Sequence, residues 1–150
     1  MREIKFRAWN KITRRMITDH LSWGLELNFG FSNLTSNWIM MQSTGLLDKQ
    51  GKEVFEGDVL LVQSELILIR TGEKTGKMSS KKYQVVWSDK IAGFCGKDEQ
   101  GKISAWAMSK DIVEEFHKII GNIYENPELL EETNVPALVF KGGSHGKRTG

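Results

Sequence analysis

Apolar and charged residues alternate along Glu3–Trp9, where Ile4, Phe6 and Ala8 are set between Lys5, Arg7 and Trp9. A period of two predicts a half-buried strand. The polar stretch NKITRR (10–15) interrupts it, and MITDHLSW (16–23) restores strand character, so the two segments predict an N-terminal hairpin. GLELNFGFSNLTSN (24–37) keeps neither period and reads as a variable insertion or long loop holding at most short strands. WIMMQ (38–42) predicts a strand. Two bends follow. Asp48-Lys49-Gln50-Gly51 puts an aspartate at the first turn position and a glycine where positive φ is wanted, and Glu56-Gly57-Asp58 marks a second tight bend. DVLLVQ (58–63) and ELILI (65–69) read as successive strands, whereas RTGEKTGKMSSKK (70–82) reads as a polar loop, variable over about 70–80. KYQVVW (82–87), IAGFCG (91–96) and KISAWAM (102–108) predict three more strands, with a polar turn at Lys97–Gly101 between the last two.

Helical signals are few. Ser109 is placed to cap a helix over Lys110–Phe116, with Asp111 near its positive end. HKIIGNIY (117–124) returns to strand character, and Asn126-Pro127-Glu128 starts a short helix ending near Glu132. Short strands separated by frequent turns point to a small barrel or sandwich. The expected fold is therefore mainly β, a β-rich α+β domain over residues 1–132, barrel-like, with an N-terminal hairpin and one or two short helices. Residues 133–150 lose all periodicity and are expected to be a partly disordered tail.

Composition narrows the function. At 150 residues, 39% hydrophobic and 27% charged, the chain can bury a core without staples. A net charge of +2 gives no global pull towards nucleic acid or anionic lipid. Cys95 is the single cysteine, which excludes an intrachain disulfide and a cysteine-rich zinc site. MREIKFRAW has no apolar signal core, and no run approaches the roughly 18 apolar residues of a membrane span. The expectation is a cytoplasmic protein with no membrane association.

The acidic residues Asp48, Glu53, Glu56 and Asp58 are the first candidate site. An EF-hand counted from Asp48 fails, because its sixth position is Glu53 and its twelfth is Val59. A carboxylate pair for acid/base work needs only proximity, but the plainer expectation is glycines that set bends and solvated carboxylates that flank them. GEKTGKMSS (72–80) fails as a phosphate-binding loop, since Gly72 and Gly76 are too close and Met78 replaces the hydroxyl residue. Its KMSS string also lacks the nucleotide-binding domain that makes such a loop useful. His20, His117 and His145 share no ligand spacing with Cys95, and Cys95 in an apolar strand reads as an inert core residue. The sequon Asn33-Leu34-Thr35 carries no meaning without secretion. No cofactor and no metal are expected. Arg70, Lys74, Lys77, Lys81 and Lys82 form the best binding signal, facing a single Glu73. With exposed members of the five tryptophans (Trp9, Trp23, Trp38, Trp87, Trp106) they would make a single-strand nucleic-acid platform. The plainer alternative is core tryptophans and a solvated loop.

Three ordered blocks, FRAWNKITRRMI, TGLLDKQGKEVFEGDV and IIGNIYENPELL, resemble the YopX family of phage and prophage proteins, over about Arg2 to Leu130. Asn10 stands where that family commonly has aspartate. The resemblance implies a mostly β fold of phage or prophage origin and brings no known activity with it. Gly45, Gly51, Gly57, Gly121 and Pro127 are of the kind that sets backbone geometry, as are the turn residues Asp48, Glu56, Asp58, Asn122 and Asn126, and Trp9, Phe55 and Tyr124 look like core. The EGD bend entering an apolar strand is similar to entry turns of SH3-like barrels. The expected function is that of a non-catalytic accessory protein binding a host or phage macromolecule. The alternatives are a nucleic-acid-binding module using Arg70–Lys82 and a small enzyme with a carboxylate site. Pairing of exposed β-edges leaves a homo-oligomer open.

Overall fold

The computed structural model describes residues 3–18, 37–68, 70–105 and 107–131. Its strands are β1 (Phe6–Asn10), β2 (Arg15–Ile17), β3 (Trp38–Leu47), β4 (Glu53–Phe55), β5 (Asp58–Ile67), β6 (Lys74–Ser88), β7 (Gly93–Asp98) and β8 (His117–Asn122). Between β7 and β8 lies the helix α1 (Lys110–Phe116), and a 3-10 turn, η1 (Pro127–Leu130), follows β8. The strands form two antiparallel four-stranded sheets, ordered β2-β1-β3-β4 and β7-β6-β5-β8, one of them curved into a half-barrel. The fold is mainly β, as the strand and turn spacing predicts. The predicted insertion at 24–37 apart from Asn37, the sequon, His20, Trp23, Ile69, Trp106, and the tail beyond Glu131 with His145 lie outside the described residues.

The N-terminal hairpin forms with Ala8 opposite Ile17 and Asn10 opposite Arg15. Its tight turn is set by Asn10, whose Oδ1 accepts the N–H groups of Ile12 and Thr13, both at 2.9 Å. A carboxylate at that position would accept the same bonds. The expected burial pattern is corrected here. Ile4 and Phe6 are exposed, while Arg7, Ala8 and Trp9 are all buried, because β1 lies between β2 and β3 and is covered on both faces.

The core draws on β4, the second sheet and α1. Val54, Leu60, Val85, Phe94, Val113 and Ile119 pack together, with Leu46 and Met108 against them. Leu60 pairs with both Ile119 and Tyr83, and Trp87 with Phe94, so one face of the second sheet supplies most of this cluster. α1 contributes Val113 as its buried residue. Ser109 precedes α1 in extended conformation without a side-chain cap bond, so the helix rests on packing rather than on its cap. β5 runs unbroken from Asp58 to Ile67 and joins the two apolar runs read as separate strands.

Two expected elements change identity. RTGEKTGKMSSKK is no loop beyond its first residues, because Lys74–Lys82 is the first half of the 15-residue β6. It pairs with β5 at Ser64↔Ser79, Val62↔Lys81 and Leu61↔Lys82. These residues have little apolar periodicity of their own and are extended because β5 satisfies their backbone groups. KISAWAM is not a strand. Among the described residues it touches β7 through the bridge Lys97↔Ile103 and through Ser104 N–H and Met108 N–H, which donate to Gly96 and Phe94 at 2.8 and 2.9 Å. Four residues therefore span what two span on β7, and a regular ladder cannot continue.

Candidate functional site

The stretch Glu53–Asp58 joins the two sheets, and its carboxylates are scaffold elements. Gly57, at φ +83°, donates its N–H to Val85 O at 2.9 Å and accepts from Ile123 N–H at 3.0 Å. Glu56 N–H donates to Gln42 O at 2.9 Å. The bend thus ties β3, β6 and the chain after β8. A Cβ on Gly57 would sit 3.2 Å from the Tyr124 ring as well as in an unfavourable φ.

Asp58 and Asp48 are buried, which corrects the expectation of solvated carboxylates. Asp58 Oδ1 accepts from Arg7 Nη2 at 2.7 Å, and its Oδ2 accepts from Phe55 N–H at 2.8 Å. The same Nη2 reaches Glu56 O at 3.2 Å, and the guanidinium lies 4.8 Å over the Phe55 ring. Burial pushes the Asp58 carboxyl above its usual range, against the pull of Arg7 and of Phe55 N–H. Arg7 Nε is buried with no partner, so the pair is not fully satisfied. Breaking a buried pair of this kind by truncating one partner costs about 3–5 kcal/mol. Asp48 makes no close ion pair among the described residues and is held chiefly by backbone N–H groups, with the Lys52 charge adding to them. Its Oδ1 accepts from Gln50 and Lys52 N–H at 2.9 Å each, and its Oδ2 accepts from Ile119 N–H at 2.9 Å. Burial pushes this carboxyl up, but the N–H donors of Ile119, Lys52 and Gln50 outweigh it and hold it below the usual carboxylate range. Glu53 accepts from Ser43 Oγ at 2.7 Å and faces Lys5 at 3.5 Å. No group of three or more His, Cys, Asp or Glu among the described residues could hold a metal ion.

The remaining geometry-setting residues gather around the ends of β3 and β8. Gly45, at φ +75°, allows the bulge between Ser43 and Leu47. Gly121 is needed for space, since a Cβ there would lie 2.5 Å from Asn126 Oδ1 and 2.6 Å from Leu129 Cδ1. Asn122 Oδ1 accepts from Tyr124 and Glu125 N–H at 3.0 and 2.9 Å, and Pro127 opens η1.

The basic segment is where the surface departs from the scaffold. β8 pairs with β5 only as far as Val62↔His117, and β7 with β6 only as far as Tyr83↔Asp98. From Gln63 onward the β5–β6 ladder has no third strand among the described residues and runs on for about 17 Å as a two-stranded arm. Residues 63–80, the arm itself, hold three basic and two acidic side chains, a net +1, and Lys81 and Lys82 at its base raise this to +3, whereas the whole chain is +2. Strand alternation places Lys81 and Lys82 on opposite faces. Lys74 faces Glu65 at 3.5 Å and Lys82 faces Glu99 at 3.7 Å, while Arg70 lies in the turn at the tip and Lys77 at the bulge before it. The arm carries no aromatic residue. The aromatic interleaving that would make a single-strand platform is therefore absent from it. Trp87, exposed and set edge-on against Phe94 at 5.2 Å, stands at the far end of β6, and Trp9 is buried. What the arm exposes is aliphatic: Leu66, Ile67, Leu68 and Met78. The apolar run ELILI was the signal for this, read as a strand in its own right while its partner strand was hidden in a polar sequence.

Comparison with known proteins decides the family. A family model described as YopX protein matches residues 24–131. The chain belongs to the YopX family. The match takes in the blocks TGLLDKQGKEVFEGDV and IIGNIYENPELL and begins after FRAWNKITRRMI. No curated protein matches the chain. Among solved structures, protein EF1440 from Enterococcus faecalis is similar with a TM-score of 0.59 at 23% identity, over 87% of this chain and 100% of that one. At that identity the likeness is one of fold. In this YopX chain, Cys95 is fully buried, and burial pushes its thiol up while Ser88 pulls it back, the opposite of an activated nucleophile. His117 is half-buried; burial holds its imidazole down, against the hydrogen bond to Ile112 O. Among the described residues no helix is long and apolar enough to cross a membrane.

Two functional candidates escaped the sequence reading. Arg7 looked like one charge among several in an alternating strand. The other is a cleft between the first hairpin and the turn after β8, formed by residues 110 positions apart in the chain and so invisible to spacing.

Proposed function

We propose that this protein is a non-catalytic accessory module of phage or prophage origin, acting in the bacterial cytoplasm by binding a host or phage protein through the β5–β6 arm. One observation carries this reading: the ladder outruns both neighbouring strands and presents Leu66, Ile67, Leu68 and Met78 to solvent. Two-stranded hairpins are marginal in water on their own. Exposing four large aliphatic residues on one has no folding benefit and suits a surface that becomes buried on a partner. The lysines fit a polar rim around an apolar centre. The net +3 of the arm together with Lys81 and Lys82 at its base favours a second reading, contact with a nucleic-acid duplex, whose major groove admits a two-stranded ribbon.

The test is capture from lysate of the bacterial host, with and without nuclease, using the native chain and an Ile67→Glu/Met78→Glu variant. A protein captured in both conditions by the native chain and lost with the variant is the expected result. Capture that disappears with nuclease moves the arm to the second reading, and capture untouched by the variant removes the arm from either.

A further inference from the structure

The arm has two outer edges, and they differ. Backbone hydrogen bonds fix which groups of β5 face outward. Near the tip, Leu68 N–H donates to Glu73 O at 2.9 Å, Gly72 N–H donates to Leu68 O at 2.8 Å, and Leu66 O accepts from Thr75 Oγ1 at 2.7 Å, so the even-numbered residues turn to β6. The base of the arm agrees. Ile119 N–H donates to Asp48 Oδ2 and His117 O accepts from Lys49 N–H, so neither residue turns to β5 across the pairs Leu60↔Ile119 and Val62↔His117. Leu60 and Val62 therefore bond to β6, and residues alternate from there. The odd-numbered Gln63, Glu65 and Ile67 present N–H and C=O on the side where β8 has ended, with no strand beside them among the described residues. The β6 edge is guarded. Lys77 and Lys81 stand along it and a register shift breaks it near the tip, features that oppose strand addition. The β5 edge has no such guard: over Gln63–Leu68 its one charge is Glu65, which Lys74 answers at 3.5 Å, and Leu66, Ile67 and Leu68 are exposed. Apolar β-forming runs of low charge and without proline are the ones that add strands.

This edge is its own complement. When two identical edges pair antiparallel about a twofold axis, the residues that exchange bonds must both be odd-numbered, so the axis passes through a residue. An axis at Ser64 would set Leu61 opposite Ile67 of the second copy, where β8 already lies. An axis at Glu65 would set two glutamates directly opposite each other, which destabilises a sheet. An axis at Ile67, the last residue of β5, leaves no strand beyond it to pair. At Leu66 these conflicts vanish. Leu66 meets its own copy in a close non-hydrogen-bonded pair, Ser64 meets Leu68, and each Glu65 exchanges backbone bonds with an Ile67. We infer that two copies of this chain pair through the outer edges of β5 about an axis at Leu66, merging their arms into a four-stranded antiparallel ribbon. Each arm thereby gains the third strand that a two-stranded hairpin lacks. The pairing uses the edge of the arm, so it holds whether or not the arm also binds a foreign protein, and it leaves Met78 on β6 exposed for one.

The experiment is sedimentation velocity on the purified full chain over a dilution series. A monomer–dimer equilibrium in the micromolar range is expected, because an edge of this length buries less than a standard interface. Leu66→Lys, at an exposed position, sets like charges opposite each other on the axis and should weaken the dimer about tenfold or more. Ser80→Pro, on the guarded edge of β6, removes an N–H that faces away from β5 and should dimerise as the native chain does. Cross-linking reads the register. The single native cysteine, Cys95, is fully buried, so Leu66→Cys adds the one exposed thiol. Across the axis its Cα atoms lie about 4.5 Å apart, within disulfide reach, and mild oxidation should give a covalent dimer. Ser64→Cys, placed opposite Leu68, should cross-link far more slowly. A native chain that stays monomeric, a Leu66→Lys dimer of native strength, or equal cross-linking at the two positions would each overturn the pairing. These measurements use the purified chain alone, so a monomer leaves capture of a foreign protein untouched, and failed capture leaves the dimer untouched.

Discussion

The turn between β3 and β4 and the turn after β7 are built from almost the same five residues, Asp48-Lys49-Gln50-Gly51-Lys52 and Asp98-Glu99-Gln100-Gly101-Lys102. They fold alike. In each, the aspartate Oδ1 accepts from the residues two and four positions on, at 2.9 and 2.9 Å in the first and 3.1 and 2.8 Å in the second. In each, a glycine at φ +79° or +81° donates back to the aspartate carbonyl, at 2.9 and 3.0 Å. They differ in what lies above them. The first turn is docked against β8, where Asp48 Oδ2 accepts from Ile119 N–H and Lys49 N–H donates to His117 O at 2.9 Å. The second makes no such bond among the described residues; it meets the neighbouring strand through the Tyr83↔Asp98 pairing and the Glu99–Lys82 ion pair at 3.7 Å. Local sequence decides the shape of a turn, and the fold decides whether that turn also bears on stability.

Substitutions can separate these two contributions. Asp48→Ala should destabilise the protein by about 3 kcal/mol, because three N–H groups lose a charged acceptor and Ile119 N–H is left buried. Asp98→Ala should cost about 1 kcal/mol. Urea denaturation midpoints compare the two, and equal losses would mean that docking adds nothing. Asp48→Asn should cost about 1.5 kcal/mol, since an amide offers one oxygen where the carboxylate uses two. It should also change the response to acid. The folded-state carboxyl of Asp48 is held below its reference value of 3.8, so its contribution is complete above that pH and is lost as pH falls through the folded value. The variant should therefore lose less stability on acidification than the native chain. Asp58 runs with the opposite sign: its carboxyl is raised, and its contribution declines as pH rises from 3.8 through the folded value. An acid limb identical in Asp48→Asn and the native protein would contradict the docking argument.

Gly51→Ala and Gly101→Ala should each cost about 1 kcal/mol, from positive φ alone. Open space surrounds a Cβ at Gly51, and only the end of the Lys97 side chain approaches one at Gly101, so a large difference between the two would mean the turns are less alike than their bonds suggest. The smallest effect belongs to Glu99→Lys, which removes a partly exposed ion pair and should change stability by less than about 0.5 kcal/mol.

The same contrast explains what could be read from the sequence. The Asx turns at Asp48 and Asp98 depend on residues within five positions of one another and the N-terminal hairpin on residues within nine, and these were legible. The docking of Asp48 involves a donor 71 residues away, and the Arg7–Asp58 pair spans 51, so neither leaves a local mark. β6 was hidden because Gly, Ser and Lys can sit in a strand whose partner supplies the pairing, as β5 does here. KISAWAM erred the other way, with strand-like alternation but no matching register on β7. The cleft at Trp9 and Tyr124 combines both difficulties, since its residues look like core and meet only through the fold.

The arm has a further consequence for how such a chain can change length. Beyond Gln63 and Ser80, among the described residues, neither strand of the ladder pairs with any strand but the other. Removing one residue from each strand shortens the ribbon by a rung and turns the tip over, whereas removing two from each restores every remaining side chain to its original face. Deletions and insertions in matched pairs of two can therefore accumulate at the tip without disturbing Leu60, Val85 or any other core residue. Reach can drift from one lineage to another while the body that carries it stays the same.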